Sequence, residues 1–202
     1  MTDLRIIMPL QAANDKPFVS ILITAYNRKD YVVDAIRSAL NQTISRDNYE
    51  ILLVHNIDDV ALENFCENNG IVVIKMPDDT IGSYMLKGLE TSHGDIICFL
   101  DDDDLFLPNK LETLRNIFSA YPDLMYFKNE IMLMDSGIPE QFIKRQSAKE
   151  LPNYGVNFLN IMHSSRCRLG HIFSLVKNGI ALNLSSIAVR RKVTVQLSGP
   201  PI

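Results

Sequence analysis

Cysteine is scarce: Cys66, Cys98 and Cys167 are odd in number and widely spaced, which argues against a disulfide framework and matches no zinc-ligand spacing. Cys98 falls inside an apolar run and reads as core. No apolar run approaches the roughly 18 residues of a membrane span, and Asp3 and Arg5 interrupt the short apolar patch at the start, so neither insertion nor export is signalled. A soluble, cytoplasmic chain is the expectation. Neither G-x-G-x-x-G nor G-x-x-x-x-G-K-[ST] occurs, which removes the usual sequence grounds for a dinucleotide site or a P-loop. Internal repeats, low-complexity segments and clear linkers are missing too. With 202 residues and 47% hydrophobic content, one substantial core is within reach.

Acidic residues almost vanish from the last part of the chain. Residues 1–140 carry 23 acidic and 11 basic groups, and residues 141–202 carry one acidic and nine basic, so the net charge of −4 conceals segments of −12 and +8. The bland reading is a dipolar surface. The functional one is a basic flap over a phosphate-bearing ligand held at an acidic metal site.

What the chain does have is a run of four carboxylates, Asp101, Asp102, Asp103 and Asp104, directly after the apolar residues 95–100, where a buried strand should end. Such groups repel by about 1 kcal/mol per pair at 4 Å in water and about 4 kcal/mol at an effective dielectric of 20, unless a cation sits among them. A divalent metal is the simplest remedy, and in open α/β sheets ligands bind at the carboxyl ends of the strands. Alternation along an ending strand puts Asp101 and Asp103 on one face and sends Asp104 into the following loop, while Asp102 reads as merely solvated. Oxygen ligands suit Mg²⁺ or Mn²⁺. Mg²⁺ typically takes one or two protein carboxylates plus water and substrate phosphate, so a diphosphate would complete the site. A solvated acidic loop is the structural alternative. An EF-hand starting at Asp101 would find Glu112 at its twelfth position, but Leu105 and Phe106 stand where it wants a polar ligand and glycine. A phosphotransferase of the haloacid-dehalogenase kind resembles D-x-D-x-T and meets Leu105 where threonine belongs; it stays as a weaker alternative.

Short apolar, β-branched runs at residues 18–25, 50–55, 71–75 and 95–100 predict strands. Helical patterns lie between them. Val32, Val33, Ile36, Ala39 and Leu40 share one face of the first, with Asn27 as N-cap and Asp30 three residues on. Ala61, Leu62 and Phe65 mark the second, and Ile81, Met85, Leu86 and Leu89 the third. This alternation calls for a mostly parallel sheet with right-handed crossovers and helices on both faces. Pro108 suits the first turn of a fourth helix with Leu111, Leu114, Ile117 and Phe118 inward, ended by Tyr121-Pro122. Residues 124–127, 172–176 and 180–189 read as later strands, 135–137 as a turn, 144–155 as a loop and 157–162 as a short helix.

Taken together, PFVSILITAYNRKDYVVDAIRSALNQT, YEILLVHN, KGLETSHGDIICFLDDDDLFLPNKLE and MYFKNE resemble the inverting GT-A glycosyltransferases of family two, over residues 17–130. The resemblance implies an α/β, GT-A (nucleotide-diphospho-sugar transferase) three-layer fold with a mostly parallel central sheet. It implies metal-dependent transfer of a sugar from a nucleotide diphosphate donor to an acceptor hydroxyl, with inversion. The chain then divides into an N-terminal extension (1–16), a nucleotide-sugar-binding core (17–135) and a basic, acceptor-side part of the same domain (136–202). By the same resemblance Thr24, Ala25 and Tyr26 lie where the family's turn cradles base and ribose, with Tyr26 as a stacking wall; a packing role at the helix entry is its alternative. Asp103 becomes a ribose or metal contact and Asp104 a direct metal ligand, with Asp101 supporting them. The Mn²⁺ or Mg²⁺ they hold would bridge the donor phosphates and neutralise charge on the departing nucleotide. Asn27 and Arg28 read as helix cap and surface.

The chain also departs from that pattern. Where the family ends its second strand with one or two acids, the second often reading the base, His55 and Asn56 stand; Asn56 still offers a donor and an acceptor to a base edge. His55 reads as a satisfied polar residue. The third helix shows Tyr84, Met85 and Leu86 in place of A-R-N, so a basic nucleotide contact is missing there. Inverting transfer needs a base within about 3 Å of the acceptor hydroxyl, and the family supplies it in an acidic motif beyond a strand resembling residues 184–191. No acidic residue follows Glu150. The catalytic base is therefore unassigned, with His163 and His171 as substitutes, and the expectation is a truncated chain or a degenerate relative that binds donor without transferring sugar. Arg166, Arg168, Arg190, Arg191 and Lys192 read as solvated surface or as a site for the donor pyrophosphate or an anionic acceptor, such as a lipid-linked phosphate at a membrane face. A carbohydrate acceptor is equally compatible. Nucleic acid is disfavoured because the acidic segment would repel its backbone.

Overall fold

All seven residues of the strand Val19–Ala25 (β2) are buried, the mark of a strand covered on both faces. In the computed structural model, which describes residues 5–7, 18–129 and 184–194, β2 is the centre of a seven-stranded sheet. Its neighbours are Tyr49–His55 (β3) and Ile96–Asp101 (β5), both parallel to it, and Val72–Lys75 (β4) continues the parallel set beyond β3. Three strands joined through antiparallel pairing extend the edges. Arg5–Ile7 (β1) pairs with β4, Ile187–Arg190 (β7) with β5, and Tyr126–Lys128 (β6) with β7, in the order β1-β4-β3-β2-β5-β7-β6.

The helices are Val32–Leu40 (α1), Val60–Asn68 (α2), Ile81–Thr91 (α3), Lys110–Ala120 (α4) and the single turn Arg191–Thr194 (α5). Alternate residues of β2 feed two cores, as a pleated strand requires. Val19, Ile21 and Ile23 pack with α1, α2 and α4, whereas Leu22 packs with Leu52, Ile97 and Tyr84 of α3. The result is three layers.

The four early strands and four helices stand where hydrophobic periodicity puts them, and Leu111, Leu114, Ile117 and Phe118 are all buried. Several expectations are corrected. Asn27 caps nothing: α1 begins after Tyr31 without a side-chain cap, because the Asn27 amide is already bonded to Asn56. Pro108 lies ahead of the Asn109 N-cap rather than in the first turn of α4. The third helix is rotated from its apolar stripe: Tyr84 and Gly88 are buried, while Ile81 and Leu86 are each 47% exposed. The seam follows the small residue. Gly88 approaches the Leu22 side chain so closely that an added Cβ would lie 2.1 Å from its Cδ1, and Tyr84 buries its ring while its hydroxyl donates to the Pro77 carbonyl at 3.0 Å. Residues 184–186 form a tight turn instead of strand, with Ser185 and Ser186 buried, so β7 starts only at Ile187. The readings at 135–137, 144–155, 157–162, 172–176 and 180–183, and Cys167, lie outside the described residues.

At the amino end of the strands, polar groups lock the sheet. Glu50 accepts from the Ser20 hydroxyl at 2.6 Å and from the Gly94 N–H at 3.2 Å, and the Gly94 N–H also donates to Ser20 Oγ at 2.8 Å. Arg190 donates to the carbonyls of Phe118 and Leu124, and Arg191 to those of Gly94 and Leu89 and to Ser92 Oγ. These two arginines are therefore neither loose surface nor an anion site; they tie backbone together at the end of β5 opposite the acidic run. Lys110 is buried at the start of α4, its Nζ hydrogen-bonded to Asn129 Oδ1 and 5.2 Å from the Phe106 ring centroid; burial pushes its ammonium down to about 8.

A Cβ at Gly94 would sit 2.5 Å from the Ser20 backbone nitrogen and 2.6 Å from the Val19 carbonyl carbon, neither of which can yield. Gly94→Ala is expected to destabilise the fold by about 1–3 kcal/mol in urea unfolding, the scale of overpacking. His55 is buried at the end of β3: Nδ1 accepts the Ile57 N–H at 3.2 Å, Nε2 has no partner among the described residues, and burial lowers its pKa. Its folded pKa lies below its unfolded value of about 6.5. Below that pH the unfolded chain takes up a proton that the fold refuses, so stability is full above it and lost as pH falls. In His55→Asn, which keeps an acceptor for Ile57, unfolding free energy is expected to depend less on pH between about 7 and 5.5.

Candidate functional site

The carboxyl ends of β3, β2 and β5 lie side by side, with Ala25 paired to His55 and Thr24 paired to Asp101. Ligand sites in parallel sheets open at this edge. Thr24 and Ala25 are both buried, and the Ala25 methyl belongs to the core, so its side chain supports the edge from below.

Beyond Ala25 the chain turns outward. Tyr26 is 38% exposed; its hydroxyl donates to the Asp78 carboxylate, and its ring meets that of Tyr84 edge-on at 5.6 Å between centroids and 82° between planes. The hydrogen bond to Asp78, then burial, raises its pKa. Asn27 follows with φ of 55°, a left-handed conformation that asparagine tolerates. Asn56 holds it there: Asn56 Oδ1 accepts the Asn27 N–H at 2.9 Å, and Asn56 Nδ2 donates to Asn27 Oδ1 at 2.6 Å. Asn56 thus spends one donor and one acceptor on the neighbouring loop, which narrows what it can offer to a base.

The left-handed residue sends Arg28 across to the acidic run. Its Nε donates to Asp102 Oδ2 at 3.2 Å, its Nη2 to Asp102 Oδ1 at 2.5 Å, and Nη2 lies 2.8 Å from Asp103 Oδ2. Neither Arg28 as free surface nor Asp102 as a merely solvated acid survives this geometry. The Asp102 side chain is only 10% exposed, and its fork with Arg28 raises the arginine's pKa further. Strand alternation fails here because β5 stops at Asp101: the Asp104 N–H donates to the Asp101 carbonyl at 3.2 Å, closing a turn that aims Asp102 and Asp103, rather than Asp101 and Asp103, at one guanidinium.

Asp101 senses the crowding. Burial, then Asp104, Asp103 and Asp102, push its carboxyl up to about 6 despite the nearby arginine. Among the described residues no three His, Cys, Asp or Glu side chains gather into a complete metal cage. The donor set still fits a hard cation that draws its other ligands from water and phosphate, because Mg²⁺ needs only one or two carboxylates from the protein.

Two residues that hold this edge in place went unnoticed in the sequence. Ser38 Oγ accepts the Phe106 N–H at 3.0 Å, and buried Gln42 donates to the Leu107 carbonyl and accepts the Leu111 N–H, each at 3.0 Å. Their signal was present: two polar residues one helical turn apart on an apolar face. A third pin, Ser185 Oγ, accepts the Asp101 N–H at 2.9 Å from 84 residues away. His163, His171, Arg166 and Arg168 lie outside the described residues. Lys192 is exposed.

Comparison with known proteins places the fold. The model of the family described as Glycosyl transferase family 2 matches residues 20–137, more than half of the chain. The minor teichoic acid biosynthesis protein GgaB of Bacillus subtilis (strain 168) is 32% identical over 127 residues, 58% of this chain and 13% of that protein. An uncharacterized glycosyltransferase of Rickettsia bellii (strain RML369-C) is 36% identical over 98 residues, 46% of this chain and 14% of that protein. The chain spans less than half the length of the curated relatives it matches. S. aureus TarS 1–349 in complex with UDP-GlcNAc aligns with a TM-score of 0.61 at 16% identity, covering 89% of this chain and 47% of that one. The mannosyltransferase PcManGT from Pyrobaculum calidifontis, in complex with GDP-Man and Mn²⁺, aligns at 0.56 and 16% identity, covering 93% and 48%. At such identities these structures speak for the fold alone. The family match runs from β2 to β6, through the strands whose ends carry the acidic turn, and the chain therefore belongs to glycosyl transferase family 2 and has the GT-A fold.

Proposed function

We propose that this chain carries the donor site of a metal-dependent glycosyltransferase that moves a sugar from a nucleotide diphosphate to an acceptor hydroxyl with inversion. The observation that carries the reading is the acidic turn at the shared carboxyl ends of β2, β3 and β5, crowded enough to push Asp101 up to about 6. Tyr26 would offer the donor base a ring face, with Thr24 and Ala25 forming the floor beneath it and Asn56 bracing the wall through Asn27. Asp103 and Asp104 would hold Mn²⁺ or Mg²⁺, with Asp101 behind them. When bound, that ion supplies Lewis-acid neutralisation of the negative charge on the departing nucleoside diphosphate. In support, TarS binds UDP-GlcNAc and PcManGT binds GDP-Man with Mn²⁺ in the same fold.

The acceptor class we favour is a carbohydrate or a lipid-linked phosphate reached by peripheral membrane contact; among the described residues no helix is long and apolar enough to cross a membrane. A cytoplasmic site of action agrees with the buried free thiols of Cys66 and Cys98. A second reading is a module of the same fold that binds the donor without turnover. Release of free sugar from a bound donor, or its transfer, separates the two.

The test is a thermal-unfolding panel of nucleoside diphosphates with and without Mn²⁺. One nucleotide at about 100 times its dissociation constant is expected to add roughly 2.7 kcal/mol, and only with metal. Asp103→Asn and Asp104→Asn are each expected to lose that increment while unfolding normally without ligand. An undiminished increment in both variants removes the metal assignment.

A further inference from the structure

We infer that Arg28 is a phosphate-binding residue of the donor site, anchored by Asp102 and shared with Asp103; the inference rests on the donor-site reading above. A guanidinium presents five N–H groups in a rigid plane. One edge of that plane, Nε and Nη2, is spent on the two oxygens of Asp102, in the bidentate arrangement that makes such pairs strong. The third nitrogen, Nη1, makes no hydrogen bond among the described residues. Arg28 is 43% exposed along its side chain, Asp103 beside it 46%, and Asp102 beneath it 10%. The buried acid therefore holds the arginine from below while its free edge stays at the mouth.

Among the described residues, the other cations around this edge are spent elsewhere. Lys29 pairs with Asp59, and Lys75 with Asp58 and Glu63, both on the α2 side. Among the described residues Arg28 is the cation delivered to Asp102 and Asp103, and a backbone feature of its own does this: the left-handed Asn27, clasped by Asn56, points the next residue across from β2 to the end of β5. Asp102 and Asp103 share one guanidinium and Asp101 lies close by, so an entering diphosphate meets net negative charge. A metal on Asp103 and Asp104 offsets part of it, and the free N–H edge of Arg28 supplies a directed contact from the other side.

Calorimetric titration of UDP, GDP, uridine and guanosine, each with Mn²⁺ and with EDTA, tests this in the wild type, Arg28→Gln and Arg28→Lys, alongside titration of Mn²⁺ alone. Arg28→Gln is expected to weaken the diphosphate that the wild type binds by about tenfold, equivalent to 1.4 kcal/mol. Nucleoside affinity should be unchanged and Mn²⁺ affinity undiminished, since removing a cation cannot weaken a cation's attraction to the turn. Arg28→Lys keeps the charge without the fork and should fall between, and it serves if the glutamine variant fails to fold by circular dichroism. Equal losses of diphosphate and nucleoside, a loss of Mn²⁺ affinity parallel to that of the diphosphate, or no change at all would each overturn the assignment by making Arg28 a purely structural brace or a bystander. Failure of the wild type to bind either diphosphate would overturn the donor-site reading itself, and this inference with it.

Discussion

The placement of every functional group at the edge depends on β2 being buried on both faces and paired on both sides. A strand with no solvent-facing side cannot shift its register by one residue without driving Val19, Ile21 and Ile23 out of one core, Leu22 out of the other, and buried Ser20 from its bond to Glu50. Because β3 and β5 are locked to it in parallel register, their carboxyl ends are locked too. His55, Ala25 and Asp101 are brought side by side by that register alone.

A second set of constraints is polar. The turn after β5 would otherwise be a loose loop carrying four like charges. Ser38 of α1, Gln42 just beyond that helix and Ser185 on the approach to β7 bond its backbone, and all three are buried. Each such bond contributes about 1 kcal/mol, and leaving its partner unsatisfied costs about 1–3 kcal/mol, so the loop path is narrowly defined. Electrostatics act on top of that frame. Arg28 compensates Asp102 and Asp103, while Asp101 keeps a carboxyl pushed up to about 6. A surplus of negative charge held in a fixed frame attracts a cation, and it is through a cation that such a frame can accept a phosphate.

Much of the frame was legible from local pattern. The β-branched runs and the helix of Leu111, Leu114 and Phe118 follow from periodicity, which a chain cannot disguise when one face must be apolar. The location of the acidic turn was legible as well, since four carboxylates follow directly on an apolar, β-branched run. Where the reading failed, a residue's partner lay far away in sequence. Asn27 looked like a cap until Asn56, 29 positions on, claimed its amide; Asp102 looked solvated until Arg28, 74 positions earlier, reached it. The third helix misled for a different reason: its seam is set by glycine and by a tyrosine with a polar tip, and neither weighs much in a hydrophobic count.

The sequence by itself determined the kinds of elements, the residues of the main core, and the location of the acidic turn at the close of a central strand. All of these follow from spacing over a few residues, where the helical and strand periods act directly. Only the tertiary structure decided which polar groups meet: the Asn27–Asn56 clasp, the Arg28 fork on Asp102 and Asp103, the Ser185 bond to Asp101, and the use of Arg190 and Arg191 as backbone ties. Such contacts arise between side chains whose strands are neighbours in the sheet but distant in the chain. Hydrogen bonds and ion pairs are short-ranged and directional, so their partners are chosen by register and loop path, and no local pattern records either.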